Sequence, residues 1–265
     1  MNENIAGLRF FYDSEEQEAA RLIGNACKKI VQLLQQRWGL KTPEDCRVYV
    51  MTSWLRFLFQ SAPWPWKIYI SLTLPLVAMR AKATWPYAGG WALQYGKRRV
   101  VGIKPPRLIQ EGNSSLGEIV FKQNRSIVEI VQSVTCHELV HAFTFHLKLP
   151  IWLHEGLATL AMELYLDKPI VREDTLEYLD DQVRGSTNGG VEKLRVEKPE
   201  TLVSAYMRGY WLTRYIDETR PGLLKDMLSR GVDQGSFEEM VASAYGIDKD
   251  NFWKGVCVTL RSFYQ

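Results

Sequence analysis

Four cysteines in 265 residues, Cys27, Cys46, Cys136 and Cys257, lie far apart with no C-x-x-C between them. That spacing excludes a cysteine zinc ribbon and argues against a disulfide framework in a chain of this length. The four read as reduced thiols. Cys136 adjoins His137, but a helical neighbour points about 100° away, so it reads as a core thiol rather than a metal ligand. The opening residues, MNENIAGLRFFYDSEE, lack the basic start and apolar run of a secretory leader. No apolar run approaches the roughly 20 residues that span a bilayer. The longest, Ile68 to Met79, is interrupted by Pro75 and bounded by Lys67 and Arg80. These absences give the expectation of a cytoplasmic protein with no transmembrane span. The net charge is only +3 and the basic residues are scattered, so nucleic acid is not an expected partner. Internal repeats and low-complexity tracts are also missing.

What remains is an ordinary globular balance, 46% hydrophobic and 24% charged, long enough for one large domain or two small ones. Leu8 to Tyr12 reads as a strand. Residues 14 to 37 carry apolar side chains at helical spacing, with Ser14 as N-cap and Gln17 completing a capping box. Arg47 to Met51 reads as a buried strand. WALQYG and RRVVGI flank Gly96-Lys97 and predict a hairpin. Residues 105 to 125 read as a connection. From Ser126 the pattern is nearly all helical, with breaks at Lys148–Pro150, at the GSTNGG segment of residues 185–190, at Pro221-Gly222 and near Gly246. The expected class is α+β. An N-terminal subdomain, residues 1–125, carries a mostly antiparallel sheet. The active-site helix sits at the junction, and a helical subdomain, residues 126–265, completes one integrated unit.

Residues 61–91 concentrate Trp64, Trp66, Trp85 and Trp91 among four prolines. The favoured reading is an aromatic insertion packed on the sheet. The other is a patch for peripheral membrane contact.

Residues 137–141 read His-Glu-Leu-Val-His inside a stretch of helical periodicity. Positions i and i+4 share one helix face, so His137 and His141 can offer nitrogens to one zinc ion. Glu138, one residue on, is placed to act on a metal-bound water rather than on the metal. A catalytic zinc needs a third protein ligand. His146 is five residues past His141 and points elsewhere on the helix. Lys148–Pro150 breaks the helix, and IWLHEGLATLAMELYL predicts a second one folded back antiparallel. His141 and Glu155 lie at similar distances from that tip, so Glu155 is the expected third ligand and His154 the competitor.

Trp152-Leu153-His154-Glu155-Gly156-Leu157-Ala158 resembles the W-L-x-E-G-x-A segment of the gluzincin metallopeptidases. The short spacing from His141 to Glu155 is most similar to the peptidase MA-like domains. The resemblance extends weakly from residue 126 to 262, and it implies a hydrolase with one zinc per chain, Glu155 as third ligand and a peptide or protein substrate. Related enzymes stabilise the oxyanion with a downstream tyrosine or histidine, for which Tyr206 and Tyr210 are the candidates. The strand WALQYG is the expected site for substrate pairing. Two departures stand out. The G-A-M-E-N segment of the large aminopeptidases is absent, and Thr159 stands where thermolysin has an aspartate supporting a zinc histidine. Thr159 and Glu163 are candidates for that support. The expected function is zinc-dependent peptide hydrolysis with Glu138 as general base. The alternative is a catalytically inactive zinc-binding or membrane-surface domain of the same fold.

Overall fold

A computed structural model of the chain describes residues 1–110, 120–123, 125–177, 179, 199–230 and 234–265. Its sheet has five strands: β1 (Asn2–Ile5), β2 (Leu8–Phe11), β3 (Cys46–Val50), β4 (Gly90–Tyr95) and β5 (Arg98–Ile103), in the order β1-β2-β3-β5-β4. The α+β class holds, with the sheet N-terminal and the C-terminal half helical. The expected hairpin of β4 and β5 forms, in register from Gly90 opposite Ile103 to Tyr95 opposite Arg98. The sheet is mixed rather than mostly antiparallel. The pairs β1–β2 and β4–β5 are antiparallel, whereas β2–β3 and β3–β5 are parallel. The physical reason lies in the connections. Helix α1 (Gln17–Trp38) carries the chain back between β2 and β3, so the second strand starts from the same end as the first. Three helices, α2 (Trp54–Ser61), α3 (Trp64–Leu72) and α4 (Leu74–Thr84), follow β3 and leave the chain at the end where β3 finishes, so β4 runs back and the hairpin turn sets β5 parallel to β3.

The α1 stripe is buried as its periodicity predicts, through Ile23, Cys27, Ile30 and Leu34. Its start differs from expectation. Ser14 opens a 3-10 turn, and the N-cap is Glu16, which makes no side-chain cap bond. The aromatic insertion is only partly packed. Trp66 meets Tyr95 at 5.4 Å and Trp85 meets Trp91 at 5.8 Å between ring centroids. Trp64 and Leu72, in contrast, are 73% and 78% exposed. The packed reading therefore holds for the side of α3–α4 that faces β4 and fails for the outer side.

After the short α5 (Pro106–Gln110), the helical half begins with α6 (Ile127–Thr144). A capping box fixes its start: Ser126 Oγ accepts from the Glu129 amide and a Glu129 carboxylate oxygen accepts from the Ser126 amide. The chain turns at Lys148, which has φ 49°, and α7 (Ile151–Leu166) starts behind the N-cap Pro150. Helix α6 lies against α1, α7, β4 and β5. Helix α8 (Pro199–Thr219) packs on α7 and is followed by α9 (Pro221–Arg230), α10 (Gln234–Tyr245) and α11 (Phe252–Tyr264). The expected breaks fall at helix boundaries, with Pro221-Gly222 opening α9 and Gly246 just past α10, while GSTNGG lies outside the described residues. One buried core runs from Ile5 on the sheet to Leu260 on α11. All four cysteines are buried free thiols. No helix among the described residues is long and apolar enough to cross a membrane.

Candidate metal centre

The antiparallel α6–α7 pair brings three donors together. His137 Nε2 and His141 Nε2 are 3.0 Å apart, and Glu155 Oε2 lies 3.4 Å from the first and 3.6 Å from the second. A tetrahedral ion with bonds of about 2.0–2.1 Å separates its ligands by roughly 3.3 Å, so the triangle has the size of one face of a coordination sphere. Glu155 Oε2 is buried and accepts no hydrogen bond among the described residues. A buried carboxylate oxygen left so is costly. A single proton can satisfy only one of the three close contacts, whereas a cation at the centre satisfies all of them. The two imidazoles and the carboxylate can hold a metal ion.

The charges agree with that arrangement. Burial works against an ionised Glu155, but His141 and His137 outweigh it and bring the carboxyl down to about 2. Burial holds His141 well below the ordinary imidazole range, which leaves its nitrogens neutral. His137 is opposed by burial yet raised overall by the Glu155 and Glu138 carboxylates.

Glu138 sits outside the triangle, against β4. Burial raises its carboxyl to about 7, with His137 lowering it and Glu155 raising it, and the Ala92 amide hydrogen-bonds to the carboxylate. Gly90 permits this approach. A Cβ there would lie 2.8 Å from Glu138 Cγ and 2.9 Å from both the Gly102 oxygen and a Val134 methyl.

Helix α8 supplies the third wall. Its Gly209 crosses α7 at Gly156 so closely that a Cβ on Gly209 would fall 2.1 Å from the Trp152 oxygen, and one on Gly156 would fall 2.3 Å from the Gly209 oxygen. Tyr206, one turn before that crossing, stacks on His137 at 6.0 Å with rings 10° from parallel. Burial keeps its hydroxyl protonated far above the ordinary range, and the Glu155 carboxylate adds to that.

No family model, curated protein or solved structure matches the chain. The site is therefore read from its own atoms. Among the expected site residues, His137, Glu138, His141, Glu155 and Tyr206 are brought together. Tyr210 is not. Its hydroxyl donates to Glu163 at 2.6 Å and accepts from Arg214 Nη1 at 2.7 Å, so it is committed to an internal network. Glu163 is held in the same network, where it also accepts from the Ile170 and Val171 amides. The Thr159 hydroxyl is buried and makes no hydrogen bond among the described residues. Neither supports a histidine. That role falls to His154, whose Nε2 lies 3.1 Å from His141 Nδ1. The sequence offers His154 only as the competitor for the third ligand; adjacency to Glu155 does not place it on the same helix face, and the contact with His141 is visible only in the structure. His146 is exposed in the turn after α6 and does not join the cluster.

Proposed function

We propose that the chain is a zinc metallopeptidase of the gluzincin kind, with His137, His141 and Glu155 as ligands and Glu138 as general base. The observation that carries this reading is the convergence of a buried Glu155 oxygen with two imidazole nitrogens, beside a second buried carboxyl, that of Glu138. Two imidazoles and one carboxylate suit zinc and leave room for a fourth ligand. Zinc in such a site lowers the pKa of a coordinated water and polarises a scissile carbonyl.

The chain's own residues supply the rest. Glu138, anchored by the Ala92 amide, accepts a proton from the attacking water and returns it to the leaving amine nitrogen. Burial raises the Glu138 carboxyl, which favours its uptake of that proton. Tyr206 presents a protonated hydroxyl at the cluster as a donor to the developing oxyanion. Strand β4 is an edge of the sheet and carries Ala92, so an extended substrate pairing along it would pass beside Glu138.

The test is Glu138→Gln, which preserves shape and removes the base. The variant should retain one zinc per chain by elemental analysis and keep its thermal unfolding midpoint. Its cleavage of a mixed peptide library, read by mass spectrometry, should fall by at least about 100-fold. Cleavage near the wild-type rate would remove Glu138 from the mechanism. A metal-bound wild-type protein that cleaves nothing in the library would favour an inactive zinc-binding domain.

A further inference from the structure

Helices α3 and α4 reverse the usual arrangement of a surface helix, which turns its apolar stripe inward. Each has one buried residue, Ile70 in α3 and Ala81 in α4. Trp64, Ile68, Tyr69, Leu72, Leu76 and Met79 are all exposed. In α3 the spacing of Trp64, Ile68 and Leu72 puts an apolar ridge on the solvent side. The pair is nevertheless fixed to the body: Trp66 packs on Tyr95, Trp85 packs on Trp91, and the Lys104 ammonium lies 4.2 Å over the Trp85 ring. It is a built surface rather than a tail.

The charge of this region is one-sided. Between Cys46 and Gln110 the chain has ten lysines and arginines and no aspartate or glutamate; Arg47, Arg56, Arg98 and Arg107 pair with Asp45, Asp13 and Glu16 from outside that segment. Lys67, Arg80 and Lys82 stand on the two helices among the exposed apolar side chains. The salt bridges among the described residues involve none of these three. At 9 and 11 residues the helices are too short to cross a bilayer, which needs about 20, but long enough to lie in its interface.

We propose that α3–α4 docks onto an anionic lipid bilayer. Trp64, Leu72, Leu76 and Met79 enter the boundary between headgroups and acyl chains while Lys67, Arg80 and Lys82 meet lipid phosphates. Tryptophan and tyrosine favour that boundary because each has an apolar body and a polar tip. A second copy of this chain fits less well, since the same acid-free face would meet its own cations. A nucleic acid would neutralise the cations but leave the apolar ridge in water. The proposal does not depend on the metal centre.

The test is flotation of the full chain with vesicles of phosphatidylcholine alone and of phosphatidylcholine with phosphatidylglycerol at two to one. The protein should float with the anionic vesicles and lose most of that binding at high salt or on neutral vesicles. Leu72→Ser with Met79→Ser should lower the partition coefficient at least about tenfold. Lys67→Gln, Arg80→Gln and Lys82→Gln should each lower it about fivefold at low salt. Leu72, Met79, Arg80 and Lys82 are exposed and Lys67 is half-buried, so the unfolding midpoint should not move for variants at the first four. Four results would overturn the proposal: no flotation of the wild type, equal flotation on both vesicles, binding to a duplex oligonucleotide instead, or a wild-type dimer that Leu72→Ser with Met79→Ser converts to monomer.

Discussion

His141 uses both ring nitrogens. Its Nε2 faces His137 and Glu155, and its Nδ1 faces His154 at 3.1 Å. A metal on Nε2 would require a lone pair there, so the proton would sit on Nδ1 and be donated to His154 Nε2. His154 must then be neutral with its own proton on Nδ1. Burial lowers its pKa and favours that form. A neutral acceptor fixes the ring's rotation and tautomer without adding the negative charge that a carboxylate would bring. His154→Ala should therefore weaken metal binding by about 10–100-fold without abolishing it, whereas His141→Ala should abolish it. Competition with a chromogenic zinc chelator gives both constants. Equal and complete loss in the two variants would make His154 a ligand, and no loss would leave His141 oriented by its packing alone.

At the scale of elements, the α7–α8 crossing decides whether Tyr206 reaches the site. Two glycines let the backbones touch, and a methyl group added at Gly209 has only backbone to push against. Gly209→Ala should cost at least about 1–3 kcal/mol of unfolding free energy. Gly222, in α9, has nothing within 4 Å of an added Cβ, and Gly222→Ala should be neutral or stabilising by up to about 1 kcal/mol. Urea unfolding of the two variants against wild type checks the contrast, and similar midpoints for both would contradict it. The α6–α7 pair was legible in the sequence because its signals are local: the i, i+4 histidines, the break at Lys148–Pro150 and a glutamate at matching distance from the tip. The hairpin at Gly96-Lys97 was legible for the same reason. The parallel pairings were not, because β2–β3 and β3–β5 join segments separated by whole helices and no residue in either strand records its neighbour. The role of Tyr210 was not legible either. Four residues separate it from Tyr206 on one helix, and only the position of Glu163 on α7 assigns its hydroxyl elsewhere. Ser14 misled because its capping pattern is satisfied by sequence alone, whereas the chain spends those residues on a 3-10 turn.

At the scale of the molecule, Asp45 ties three strands through Arg9 on β2, Arg47 on β3 and Arg98 on β5. Arg47 Nε donates at 2.9 Å, Arg98 Nε at 3.2 Å, and Arg9 also donates to the carboxylate. Partial burial pushes the Asp45 carboxyl up, but the arginines outweigh it and hold it below its ordinary value. A folded-state pKa below the unfolded value of about 3.9 means that the stabilisation is complete above that value. It is lost as pH falls through the folded one. Asp45→Asn should cost about 1–3 kcal/mol near neutrality, and the gap to wild type should be narrower at roughly pH 3, as pH falls from the unfolded value towards the folded one. Urea midpoints at both pH values measure it, and a gap unchanged in acid would remove the carboxylate as its source. The whole molecule also bears on the cluster through one adjacency. Glu155, a corner of the donor triangle, and Gly156, the contact point with α8, are consecutive residues. The peptide unit between them is a short lever with the ligand on one arm and four C-terminal helices on the other. A displacement of those helices would reach the residue that bears the carboxylate through a single peptide unit, so an ion gripping that oxygen would help to brace the distant end of the chain.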